Sequence, residues 1–323
     1  MNVMKNGKAA GLGRAGHLVR VVTDQDMELS GFHAMAGEDA PLLLCLHGLS
    51  GGLDTSFVFD FLNTPSLSDC HLLTITCSGH GNIAMARAGD PPAYRLGGSA
   101  FEYFDDCVPD LAAWVDYARA HTRGPIVLLG HSLGASKVAH YVGQTQDERV
   151  HGVVLASAPD LKGAFIALHG AERVRAYLEQ ARAMVEQGRG ASLMDEACVI
   201  GLLRQRVSAQ TLLDRFGEGK PADTFDFYHR NSTAAFQALG RISAPVLAIY
   251  GHQGEIVGPG GTDEAIALLR RHAVRAAAFD SLVVPGNHWY MGAERQAAEG
   301  IAQWMATRCL AATVQEDANE DRH

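Results

Sequence analysis

Two hydrophobic patterns alternate along the chain. Short, almost wholly apolar runs recur: "PLLLCLHG" (Pro41 to Gly48), "HLLTITCSGHG" (His71 to Gly81), "PIVLLGHSLG" (Pro125 to Gly134) and "VHGVVLASAP" (Val150 to Pro159). Strands covered on both faces need apolar residues on both sides, so such runs predict a buried parallel sheet. Helical patterns separate them. "AFEYFDDCVPDLAAWVDYARAH" (Ala100 to His121) carries Leu111, Val115 and Ala118 at helical spacing, with Pro109 marking a kink or a new start. After Ser132, residues Ala135, Val138, Ala139 and Val142 form an apolar stripe. Upstream, His17 to Thr23 and Met27 to Met35 predict a hairpin around Asp24-Gln25-Asp26.

The pattern changes after Pro159. From Asp160 to Leu239 no strand stands out. Ala171 to Gly188 is amphipathic, with Val174, Leu178, Ala181 and Val185 on one face, and "SLMDEACVIGLLRQRV" predicts a second helix capped by Ser192. Strand signals return with "PVLAIYG" and with Ala278 to Gly286. A helix over Thr262 to His272 lies between them, and a last one over Ala293 to Arg308 carries Ile301, Trp304 and Met305. The expectation is an α/β fold, a doubly wound and mostly parallel sheet interrupted by a helical cap. Residues 17–159 and 240–310 form the core, 160–239 the cap, and 1–16 and 311–323 flexible tails.

Composition narrows the function. The chain has 323 residues, 47% of them hydrophobic, which suffices for one sizeable core plus an insertion. A formal net charge of −9 argues against a nucleic-acid partner, because phosphate binding needs a basic face. The 6 cysteines show no CxxC spacing, which suits free thiols in a reducing cytoplasm. No run reaches the length of a membrane span, and the N-terminus lacks an apolar signal core. Cys77 and His80 form a lone Cys-x-x-His, a loop arrangement rather than a metal-ligand pair.

Gly130-His131-Ser132-Leu133-Gly134 fits G-x-S-x-G, in which a strand turns sharply into a helix and leaves the serine hydroxyl exposed. Here the strand and the helical stripe flank the motif as it requires. A serine needs a base. His288, in "VVPGNHWY", follows the last strand and emerges at the same sheet edge as Ser132. His47, His80 and His131 share that edge; His131 belongs to the elbow and should point away. Backbone N–H groups of Leu49, in "HGLSGG", and Leu133 are candidate oxyanion donors, with Gly48 allowing close approach. His47, Gly48, His131 and Trp289 are candidate substrate contacts. Phe57, Phe59, Phe61, Tyr94, Phe165, Trp289 and Tyr290 are candidate apolar lining, each also suited to a plain core role.

A histidine base works best with a carboxylate that fixes its tautomer. Glu255, after "PVLAIY", is the leading candidate. Asp160, after "VVLASAP", is the alternative, and a site without a conventional acid is the third possibility.

Five pieces in order, "LHGLSGG", "CSGHGN", "GHSLG", "PVLAIYGHQGE" and "VVPGNHWY", resemble the α/β-hydrolase superfamily and span nearly all of the chain outside cap and tails. The stretch from Asp226 to Gly261 is similar to a branch that includes siderophore-esterase-like proteins. The resemblance implies a Ser–acid–His triad and a gating cap; the reaction expected of such a triad takes a small-molecule acyl substrate and needs no cofactor. In many members an aspartate stands three residues before a position such as Val257; here that place is Gly254, and the carboxylate sits one residue later on a longer side chain. The resulting expectation is a serine hydrolase of an ester, thioester or lactone. The alternatives are an acyltransferase with the same triad, or a ligand-binding protein on a hydrolase scaffold.

Overall fold

A computed structural model describes residues 13–54, 60–89 and 91–310. Its centre is an eight-stranded sheet in the order β1-β2-β4-β3-β7-β8-β9-β10. The strands are β1 (His17–Val22), β2 (Glu28–Ala34), β3 (Leu42–Leu46), β4 (His71–Ile75), β7 (Ile126–His131), β8 (Val150–Ala156), β9 (Val246–Gly251) and β10 (Phe279–Val284). From β4 onward all neighbours are parallel; β1 and β2 pair antiparallel as the expected hairpin, and β2 joins β4 antiparallel.

Side-chain alternation explains why the runs are apolar throughout. In β3, Leu42, Leu44 and Leu46 enter one core with Trp114, Val138 and Leu269. Leu43 and Cys45 enter the opposite core with Ile301 and Trp304. Helices α1 (Cys107–His121), α2 (Leu133–Thr145) and α6 (Gly261–His272) cover the first face. Helix α7 (Glu294–Met305) covers the second. Pro109 sits in the first turn of α1, so it marks a new start rather than a kink.

The insertion has a core of its own. Helices α3 (Leu161–His169), α4 (Ala171–Glu186) and α5 (Ala209–Phe216) pack Phe165, Ala181, Leu212 and Phe216 together. Its extent differs from the expected 160–239: Phe225, Phe227 and Phe236 join the main core instead. The helix expected from Ser192 does not form. Met194 N–H donates to Val207 O at 2.9 Å, Ile200 and Gln205 exchange backbone bonds of 2.8 and 2.9 Å, and the Asp195 carboxylate accepts from Ala197 N–H. These pairings bury Met194, Cys198 and Ile200 without helix, a tertiary arrangement overriding a weak local pattern. A second, two-stranded sheet was not anticipated: β5 (Ala84–Ala88) and β6 (Ala93–Gly97), where Tyr94 lies exposed on the surface.

Insertion and core are joined by buried charge. Glu102 accepts from Lys137 Nζ of α2 at 2.6 Å and from an Arg215 guanidinium nitrogen of α5 at 2.7 Å, and all three side chains are buried. Burial pushes the Glu102 carboxyl up, but the two cations outweigh it and hold it low. Removing the anion would strand two buried cations. Glu102→Gln is therefore expected to lower unfolding free energy by about 3–5 kcal/mol, read as a shift in the urea midpoint. A change under about 1 kcal/mol would show that the cluster is solvated.

All six cysteines are unpaired. Among the described residues no helix is long and apolar enough to cross a membrane.

Candidate active site

Ser132 stands between β7 and α2 at φ 54° and ψ −123°, a strained conformation for a residue with a side chain. The two motif glycines are required by contact. A Cβ on Gly130 would lie 2.1 Å from Gly134 O, and one on Gly134 would lie 2.5 Å from His47 O. The elbow is thus pressed against the loop after β3. Gly48 completes the contact, since a Cβ there would come within 2.9 Å of the Ser132 Cβ.

Leu49, the next residue, lines the same cavity as Ser132, and Leu133 opens α2. The loop is held from behind. His47 Nδ1–H donates to Gly48 O at 2.7 Å, and His47 Nε2 faces Cys77 N–H at 3.4 Å. Gly81 N–H donates to Gly51 O, and the Ser50 and Ser99 hydroxyls share a short hydrogen bond. Burial lowers the His47 pKa to about 4, so the ring is neutral. His47 therefore shapes the loop from inside and is not on the cavity wall, unlike the substrate contact expected of it. His80 Nδ1–H donates to Cys77 O at 3.0 Å, the local turn expected of that pair.

His288 follows β10 and Glu255 follows β9. Glu255 Oε2 lies 2.7 Å from His288 Nδ1, with only 2% and 3% of their side chains exposed. Glu255 Oε1 accepts from Gly251 N–H at 2.6 Å and from the Ser157 hydroxyl at 2.8 Å. The Tyr290 hydroxyl, 2.9 Å from Ser157 Oγ, also reaches Ile249 O at 3.1 Å. The carboxylate thus has a fixed orientation, with one oxygen left for the imidazole. Gly254 is at φ +70°, and a Cβ there would meet only open space. The turn puts position 254 away from His288, and the longer Glu255 side chain reaches back.

Asp160 does other work. It caps α3, accepting from Gly163 N–H at 2.7 Å. It also accepts from Phe227 and Tyr228 N–H at 2.9 and 3.1 Å and pairs with Arg230 at 2.9 Å. Both of its oxygens are committed to these partners, so the alternative acid is not brought to His288.

His131 supports His288 from below: its Nε2–H donates to His288 O at 2.8 Å. Burial, then the His288 ring, lowers its pKa to about 3. Unfolded, it takes a proton below about pH 6.5, so folding loses about 1.4 kcal/mol for each unit of further acidification until roughly pH 3. His131→Gln removes that dependence. Its urea midpoint should fall less steeply than the parent's between pH 6 and pH 4; parallel curves would mean that His131 titrates normally in the fold.

Ser132, His131, His288, Gly48, Leu49 and Trp289 all line one cavity of about 80 Å³, roofed by Leu161, Leu202, Leu203 and Gln205 of the insertion. Of the other aromatic candidates, Phe61 is in the core and Phe165 lines a neighbouring cavity. Tyr290 lies behind Glu255, while Phe57 and Phe59 lie outside the described residues. Sequence reasoning missed Ser157, although it follows a strand at the same edge. Ser50, Ser132, Ser157 and Tyr290 all have positive φ, so backbone strain gathers around this cavity. Among the described residues no cluster of His, Cys, Asp and Glu could hold a metal ion.

The chain belongs to the α/β-hydrolase family: the family profile described as alpha/beta hydrolase fold matches residues 41–291. No curated protein matches it in sequence. Among solved structures it is similar to the siderophore hydrolase EstB from Aspergillus fumigatus, with TM-score 0.63 and 17% identity over 94% of this chain and 99% of that one. It is also similar to Est1E from Butyrivibrio proteoclasticus, with TM-score 0.56 and 15% identity over 91% and 99%. A third is the Pyrococcus furiosus esterase Pf2001, with TM-score 0.57 and 14% identity over 95% and 96%. At these identities the likeness is one of fold.

Proposed function

We propose that the protein is a serine hydrolase cleaving a carboxylic ester, thioester or lactone through Ser132, His288 and Glu255. One observation carries the reading: His288, hydrogen-bonded by a buried carboxylate, lines the same small cavity as a serine on a strained strand–helix elbow. Glu255 accepts the Nδ1 proton, which leaves the Nε2 lone pair free to act as base. Ser132 Oγ attacks the acyl carbon while His288 Nε2 takes its proton. The carbonyl oxygen becomes an oxyanion, for which the Leu49 and Leu133 N–H groups are the donors. Collapse breaks the bond to the leaving group, which receives the proton from His288. Water then attacks the acyl-enzyme and loses a proton to His288; collapse breaks the bond to Ser132 Oγ, which takes that proton back, and the acid is released.

The reach of Glu255 to His288 from the position after Gly254 supports turnover rather than a ligand-binding scaffold. The esterases and hydrolases that share the fold are consistent with ester chemistry, but their substrates are their own. A fluorophosphonate probe tests the reading. It should label the native protein at Ser132, and folded protein that stays unlabelled would overturn the assignment of the nucleophile.

A further inference from the structure

Beside the reaction cavity lies a second and larger one, of about 320 Å³, inside the insertion. The two share a wall made by Leu161, Gly201, Leu202 and Ile256. Beyond it the second cavity is lined by Ala164, Phe165 and Leu168, with no acidic side chain and a single charged one, Arg204. The reaction cavity alone is too small for a sizeable substrate, and the adjoining space is apolar.

The turn that carries Arg204 is built into both cavities. Ile200 and Gln205 close it through their paired backbone bonds, and Arg204 N–H donates to Gly201 O at 3.2 Å. A Cβ on Gly201 would come within 2.7 Å of Leu49 Cδ2, so the turn rests on the candidate oxyanion loop. Leu202 at its tip belongs to both linings and is 50% exposed, so the two spaces adjoin at a side chain that solvent reaches. Arg204 itself has φ +52°, a conformation that an asparagine or glycine adopts with less strain. Its neighbour Arg206 is engaged with Met194 O and Glu196. Arg204 makes no ion pair among the described residues.

We infer that the substrate is an ester with one apolar arm ending in an anionic group. The arm lies along Leu161, Leu202 and Ile256 in the second cavity, and its anion meets the Arg204 guanidinium. This deepens the hydrolase reading and rests on it. The apolar walls select chain length, at about fourfold in kcat/KM for each methylene buried. Arg204 is exposed, so its guanidinium selects charge by only about two- to fivefold.

The test compares matched esters. On the acyl side these are p-nitrophenyl octanoate and the mono-p-nitrophenyl ester of octanedioic acid. On the alcohol side they are octyl acetate and 8-acetoxyoctanoate. Within each pair the ratio of kcat/KM is taken on one enzyme, so a general loss of activity cancels. The native protein should prefer the anionic member of one pair by about two- to fivefold. The preference should vanish in Arg204→Met, persist largely in Arg204→Lys, and weaken in 0.5 M salt by about half or more. Filling the cavity with Ala164→Phe should lower kcat/KM for both members of the pair that shows the preference, relative to the matching short ester, p-nitrophenyl acetate on the acyl side or ethyl acetate on the alcohol side. No anion preference in either pair, or a preference that survives Arg204→Met, overturns the subsite. If the native protein turns over no ester, including p-nitrophenyl acetate, the hydrolase reading fails instead. Calorimetry then decides the subsite: octanoate should bind more tightly than the uncharged octanamide to the native protein but not to Arg204→Met, and equal binding overturns it.

Discussion

Ser132→Ala is expected to lower kcat on an activated ester by about 10⁴-fold or more, leaving only what the remaining site contributes over water. The residue is buried in a strained turn whose neighbours pack on the backbone and on the Ser132 Cβ, which alanine keeps. The variant should therefore fold with an unchanged thermal midpoint and still bind the substrate. It should also lose all fluorophosphonate labelling. A variant retaining more than about a tenth of the parent kcat would mean that another group does the chemistry.

The second large effect separates two carboxylates. Glu255→Gln should lower kcat by about 10²- to 10⁴-fold with little change in thermal midpoint. Glutamine has the same size, and its amide oxygen can still accept from Gly251 N–H and Ser157. Its NH₂ then faces His288 Nδ1 and forces the proton onto Nε2, where the base is needed. Asp160→Asn should do the reverse. It takes the charge from a carboxylate that caps α3 and binds Arg230, so the midpoint should fall by several degrees while kcat stays within about fivefold of the parent. If Asp160→Asn alone lowers kcat a hundredfold, the acid has been misassigned. Running both variants on one substrate makes each the control for the other.

The two carboxylates also show where sequence reasoning stops. Both follow strands and emerge at the same edge of the sheet. The edge follows from apolar runs read as parallel strands, but side-chain direction does not. Asp160 opens a helix and has four hydrogen-bond donors around it, two of them backbone groups some 67 and 68 residues later in the chain. Nothing local announces those partners. The residues around Ser192 make the same point for secondary structure. Their helical spacing is real, yet pairing with Val207 and Gln205 wins, because long-range backbone bonds and a shared core offset a marginal propensity.

By itself the sequence determined the alternation of buried strands and covering helices, the elbow around Ser132 and the edge at which His288 and Glu255 appear. Each is encoded in a few consecutive residues: apolar runs too long for one face, and glycines where a Cβ would strike backbone. Tertiary structure alone decided which carboxylate meets His288, that His47 supports a loop from behind, and that Ser157 and Tyr290 fix the orientation of Glu255. It also decided that the turn at Arg204 roofs two adjoining cavities. These depend on distances of a few ångströms between segments far apart in the chain, and only packing sets such distances. The glycine at position 254 is the clearest case. In sequence it is a missing aspartate; in the fold it is a left-handed turn that points away from the site, with the next residue's longer side chain turned back to His288.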